Sequence, residues 1–400
     1  MLLFLAVVLG LVLRGMTPED RARLGRLVLA AVRFGRDAVT KAPAGCEAFQ
    51  EALRARTRWT LVTPALVGAQ VTIFIFMLVG GAGFADPHTL VDWGGSIGPK
   101  TTNGEWWRLA TATFVHWGLL HVFVEVAALL QAGLLTERLV GPLAFAVVYT
   151  ASGLLAGLWG LSAHPVSVSA GAAGAVFGVY GLLLALLVWG LVQRSPLTIP
   201  LAALKRLWPG AVMFTLYNMV SEGIVSESMQ AGLVVGFVCG MVMAVRVSVH
   251  KPPARRVCAA LAATMAIVVV SAAPLRGLAD VTGEVALVTE AEERTAGAYD
   301  AAVERFKVGR LTAEALAQIA DHVVSEMQLL QTRLASLDHV PMEHEPMLAA
   351  ASEYLRLREE SWRLRAKGLR AGHMRTLQQA EGAESAALAA LRRTAATSRQ

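Results

Sequence analysis

Long apolar runs fill the middle of the chain and give way to an amphipathic pattern near its end. A helix needs roughly 20 apolar residues to cross a bilayer, and stretches of that order recur between about residue 60 and residue 275. Seven membrane-spanning helices are expected, at 60–80, 113–135, 142–161, 170–192, 200–221, 229–249 and 257–275. The fifth is interrupted by Lys205 and Arg206, and its Pro209 removes a bond from the backbone ladder. From residue 280 the chain turns rich in Ala, Leu, Glu and Arg, with 15 Lys/Arg against 18 Asp/Glu. There Leu316, Ile319, Val323, Met327, Leu330, Leu334 and Leu337 alternate three and four apart, the period of a helix with one apolar stripe. That region reads as a helical hairpin or small bundle, the stripe being its own core or a partner surface.

The first residues carry a different signal. Met1 to Val12 is apolar but short for a span, so it is a signal anchor or Met16 is the start of the protein. Residues 14–58 hold ten Lys/Arg against five Asp/Glu, with Leu24, Leu27, Val28, Ala31, Val32 and Phe34 at helical spacing among the arginines. Such a segment either lies on an anionic leaflet or is a solvated helix. Placing it in the cytoplasm puts 81–112 outside, and puts Glu137-Arg138, Gln193-Arg194, His250-Lys251 and Arg255-Arg256 inside. It leaves residues 280–400 extracytoplasmic, a topology consistent with the cation bias of cytoplasmic loops.

Composition narrows the class. The chain is 55% hydrophobic with a mean hydropathy of +0.52, which excludes an ordinary soluble protein and fits an all-α polytopic membrane protein. Cys46, Cys239 and Cys258 are scattered, with no spacing for a metal cluster or a disulfide framework, so no metal and no cofactor is expected. A net charge of +6 without basic patches among aromatics gives no reason to expect nucleic acid as a partner.

Four separated segments carry candidate chemistry. The first is Glu105-Trp106-Trp107-Arg108, ahead of the second span. The second runs from His116 through His121 to Glu125. His121 and Glu125 are four apart, on one helix face and within bonding reach, and a carboxylate inside a membrane is costly enough to be a functional candidate. The third is Gly133, then Glu137-Arg138-Leu139-Val140-Gly141, read as a cytoplasmic helix end. The fourth pairs Gly171-Ala172-Ala173-Gly174 and Gly178 with Met229, Gly232, Gly236 and Gly240. Glycines at intervals of four let two helix backbones approach closely in lipid.

In this order the segments resemble the rhomboid superfamily of intramembrane serine proteases. The resemblance implies a six-helix core over 59–250, preceded by a basic N-terminal segment, 1–58. A seventh transmembrane helix at 251–279 and an appended helical domain at 280–400 would follow. It makes Trp107, Arg108, His116, His121, Gly171, Gly174, Gly178, Gly232 and Gly236 retained family positions. It also marks three departures: the family's serine falls on Ala173, its histidine on Met229 and its oxyanion-binding asparagine on Glu125. A methyl group is no nucleophile, a thioether is no base, and an ionised carboxylate only accepts hydrogen bonds. The resemblance therefore implies a pseudoprotease with no intact catalytic residue, multi-pass in a bacterial inner membrane. Its partners would be membrane lipid and transmembrane segments of client proteins, with an extracytoplasmic partner or self-association through 280–400. Competing readings are an active protease with non-standard residues (Ser169 with His121 or His164), a proton-coupled transporter using His121 and Glu125, and an anchor for the last domain. A metal on His116, His121 and Glu125 is disfavoured, because five residues turn the histidines about 140° apart on an ideal helix.

Overall fold

The computed structural model describes residues 47–84, 86–193, 199–221, 227–244 and 251–397. Met1–Val12, the arginine-rich stretch up to Cys46, Arg194 and His250 lie outside the described residues. The chain divides into two compact units, Met1–Arg276 and Gly277–Gln400. The described elements are helical and no strand occurs among them; a single antiparallel bridge joins Ser96 to Ser169.

The first unit begins with α1 (Glu47–Arg56) and α2 (Val62–Val79). Three short helices, α3 (Pro87–Asp92), α4 (Gly98–Thr102) and α5 (Arg108–Thr111), build the long loop that follows. Then come α6 (Leu119–Val140), α7 (Pro142–Ala163), α8 (Ala173–Gln193), α9 (Leu201–Ser221), α10 (Glu227–Ala244) and α11 (Ala254–Ala272). Among the described residues, six spans are long and apolar enough to cross a membrane: α2, α6, α7, Ala173–Gly190 of α8, α10, and α11 extended to Leu275. That is one fewer than the pattern predicts. The fifth expected span, α9, forms and passes through Pro209, but Lys205 and Arg206 dilute its hydropathy and it is not among the six.

The second span also starts and ends later than expected. Residues 112–114 make a single 3-10 turn, and α6 begins after Gly118. It continues through Glu137-Arg138 because Glu137 is fully buried there with work for both oxygens. Its Oε1 accepts the Leu61 and Val62 N–H groups at 2.7 and 2.9 Å, and its Oε2 accepts that of Thr63 at 2.8 Å. The first N–H groups of a helix have no partner within it. The Glu137 carboxylate supplies one for α2 and offsets the positive end of its dipole.

α8 and α10 lie backbone to backbone. A Cβ on Gly232 would strike the Gly174 carbonyl, and one on Gly236 the Gly178 carbonyl. On the other side of α8, a Cβ on Gly174 would sit 2.5 Å from that of Ala156 in α7. The glycines thus seat α8 between α7 and α10. Phe145, Val148, Val176, Val179 and Leu182 complete the core there.

The second unit comprises α12 (Val281–Lys307), α13 (Ala313–Ala335), α14 (Glu345–Ala371) and α15 (Met374–Thr397). Asp280 and Thr312 cap α12 and α13, accepting the Gly283 N–H at 3.0 Å and the Ala315 N–H at 3.2 Å. Gly372 ends α14 in the left-handed region. Leu316, Val323, Met327 and Leu334 are buried with Leu355 and Trp362, and Ile319, Leu330 and Leu337 pack against them. The apolar stripe is the core of its own bundle.

Candidate functional site

The long loop before α6 is held by Arg108. This buried guanidinium donates to the carbonyls of Val91 and, at 3.0 Å, Gly95, pairs with Glu105, and lies over the Trp107 ring. Trp107 itself is about half exposed. Thr111 Oγ1 adds a bond to the Gly94 carbonyl at 2.7 Å. Residues 164–172, between α7 and α8, are stitched to that loop by main-chain bonds. Ser96 and Ser169 exchange N–H···O bonds of 2.9 and 2.8 Å, Gly98 N–H reaches Pro165 O at 2.7 Å, and Gly171 N–H reaches Ala112 O at 2.9 Å.

Under this double loop lies a cavity of 530 Å³. Gly153, Ala156, Gly157 and Gly160 of α7, with Ala173 and Gly174 of α8, give it a wall of small residues. Its polar groups include His121, His164, Tyr217, Thr113, Ser96, Ser167, Ser169, Ser221 and Ser228. Ala173, at the head of α8, thus faces a cavity and offers it a methyl group. Met229 is buried in the same apolar cluster as Ala173. Gly232, Gly236, Gly174 and Gly178 lie in the α8–α10 contact rather than around the cavity, Gly174 alone touching both.

His121 also belongs to a polar cluster beside the cavity, centred on a buried carboxylate. Glu125 is fully buried. Its Oε2 lies 2.8 Å from His116 Nε2 and accepts the Ala172 N–H at 2.8 Å; its Oε1 lies 3.0 Å from His121 Nε2. Both histidine contacts are of ion-pair length. His116 is not on α6. It stands in the turn before the helix, which is why both histidines reach one carboxylate although helical spacing would turn them apart. Among the described residues no group of three or more His, Cys, Asp or Glu is arranged to hold a metal.

Two cavity groups escape a reading of the linear motif. Ser228 directly precedes Met229, and Glu227 Oε2 lies 3.3 Å from His164 Nε2, linking the start of α10 to the end of α7. Tyr217 of α9 brings its ring within 5.9 Å of His121. Only the positions of the polar residues at the helix ends could have pointed to these contacts.

A bundle of membrane-crossing helices around a polar-lined cavity, roofed by a stitched double loop, defines a polytopic helical membrane protein with a built site. A family model described as Rhomboid domain matches residues 103–250. Among curated proteins, the chain is 34% identical over 122 residues to the rhomboid protease GluP of Bacillus subtilis, covering 30% of this chain and 24% of that protein. It is 32% identical over 123 residues to the inactive RHOMBOID-like protein 8 of Arabidopsis thaliana, covering 30% and 31%. It is also 28% identical over 193 residues to Rhomboid-like protease 2 of Toxoplasma gondii, covering 45% and 65%. The chain spans about a quarter to a third of the first two relatives' own length. Residues 103–250 match a rhomboid domain, and the similar proteins include ones named as proteases and one named as inactive.

Proposed function

We propose that this protein is a non-proteolytic rhomboid that binds transmembrane segments of client membrane proteins. The carrying observation is Ala173 at the cavity wall, in the position of the family's nucleophile. Met229, buried at the histidine position, supplies no base. The cavity of small residues remains open to accept a segment. Residues 14–58 would lie in the cytoplasm and 280–400 outside, in a bacterial inner membrane, with the last unit recruiting a partner or a second copy. Photo-crosslinkers at Ala156 and Ser221 should capture membrane clients at unchanged molecular weight, and a reporter fused after residue 280 should read as external. Accumulation of cleaved clients would overturn the reading.

A second reading is favoured by one feature: Ser228 and His164 line the cavity, and Glu227, next to Ser228 in the chain, pairs with His164. If they formed a hydrolytic set, a fluorophosphonate probe would label the wild type and spare Ser228→Ala. No labelling removes that reading.

A further inference from the structure

Three nitrogen groups from three places in the chain converge on the Glu125 carboxylate: His116 Nε2 from a turn, His121 Nε2 from α6 and the Ala172 N–H from the segment before α8. Donors gathered in this way around one buried point are the build of an anion site. Here the point is occupied by a side chain of the same protein. We propose that Glu125 is the resident anion of an internal carboxylate-binding hole, with His116 as its counter-cation. In that role it is a positioning residue that clamps segment 164–172 to α6 and leaves the hole closed to any other anion.

The protonation states follow from the contacts. His116 Nδ1 lies 3.0 Å from the Phe114 carbonyl, which can only accept, so Nδ1 carries a proton. His116 Nε2 lies 2.8 Å from Glu125 Oε2 in a site with no exposure, where two facing lone pairs would repel, so a second proton lies between them. Oε2 also accepts the Ala172 N–H, a role an ionised oxygen fills better than a hydroxyl that is already donating. The proton therefore sits on His116, making it imidazolium. His121 Nδ1 accepts the Trp117 N–H at 3.3 Å, which leaves its single proton on Nε2, facing Oε1. The cluster is neutral as a whole, which is how a carboxylate persists in the membrane core.

Gly171 shows how closely the site is built around its occupant. It holds φ of +125°, and a Cβ there would lie 2.8 Å from His121 Cε1 and 3.0 Å from Glu125 Oε1. Any side chain at this position would displace the carboxylate or the ring.

The test uses the full chain in nanodiscs with 15N-labelled histidine. His116 should show two protonated ring nitrogens at neutral pH and His121 one, on Nε2. Glu125→Gln keeps the shape and an acceptor oxygen but removes the charge; it should turn His116 neutral while the protein stays folded. Glu125→Ala should unfold at a lower temperature, and millimolar sodium formate should restore at least half of that loss while leaving the wild type unmoved. A neutral His116 in the wild type would overturn the proposal. So would a folded Glu125→Ala protein indifferent to formate. If Glu125→Ala does not fold, the histidine spectra of wild type and Glu125→Gln decide alone.

Discussion

The two units keep their helices together in different ways. In the membrane unit α8 meets α10 through glycine backbones, and one of its buried charges, Glu125, faces three nitrogen groups. In the C-terminal unit a leucine-rich stripe makes the contact, and the buried charge, Arg358, is paired at the edge of the core with Glu292 and, at 2.8 Å, Glu384. Solvent explains the difference. Lipid tails are as apolar as leucine, so burial does not drive helices together there, and close packing and polar contacts decide. In water a stripe gains from burial alone, and its charges can stay at the rim. Glu292 and Glu384 are accordingly part-exposed while Glu125 is not.

The largest test of this contrast is steric. Gly236→Val would drive a Cβ into the Gly178 carbonyl, which is backbone and cannot swing aside. Overpacking of this kind costs about 3 kcal/mol or more, and the yield of monodisperse protein in detergent should collapse. Gly190→Ala, also in α8, has nothing within 4 Å and should raise the melting temperature slightly. If both variants behave alike, the glycines are not the contact.

Next in size is Arg358→Met. It leaves Glu292 facing the core around Trp362 without its cation and leaves Glu384 to Arg365 alone. Breaking a buried pair costs roughly 3–5 kcal/mol, and the partial exposure of both partners lowers this to about 2 kcal/mol. Hydrogen exchange should rise in α12 and α15 and stay unchanged in α6 to α8. Protection lost in the membrane unit as well would show that the units do not unfold separately.

Smaller still is Glu137→Gln, which keeps an acceptor for the α2 amides but removes the charge. Charge-assisted bonds exceed neutral ones by about 1 kcal/mol. Fraying at Leu61–Thr63 should increase while the rest of the unit holds. This residue also shows what a sequence hides. Glu137 looks like a solvated charge at a helix end, and only its meeting with residues 61–63 makes it a cap. The apolar runs, the glycine spacing and the stripe from Leu316 to Leu337 are local periodicities, so they were legible. The proximity of His121 to Glu125 was legible for the same reason, four residues on one helix. The place of His116 was not, because the apolar pattern continues unbroken across the turn at Gly118 and reads as helix. The cavity was hidden too, since its walls are brought together by bonds between segments some 70 residues apart, such as Ser96 with Ser169.

The smallest effect separates the two units by pH. In the C-terminal unit His344 is part-buried, and desolvation holds its pKa below the ordinary 6.5, against the opposing pull of Glu343 and Asp280. The unfolded chain then binds a proton at a higher pH than the folded one does. Stability is complete above about pH 6.5 and falls as the pH drops through that value toward the lower folded pKa. Half-exposure keeps the effect small. Urea unfolding of the full chain, followed through the C-terminal unit between pH 8 and pH 5, should show a midpoint that declines with acid. His344→Gln should flatten the part of the decline near pH 6 and leave that due to the carboxylates. The buried histidines of the membrane unit set the contrast: α6 and α8 should keep their exchange protection over the same range. A decline in the membrane unit with none in the C-terminal unit would reverse the assignment of which charge is enclosed and which is at the rim.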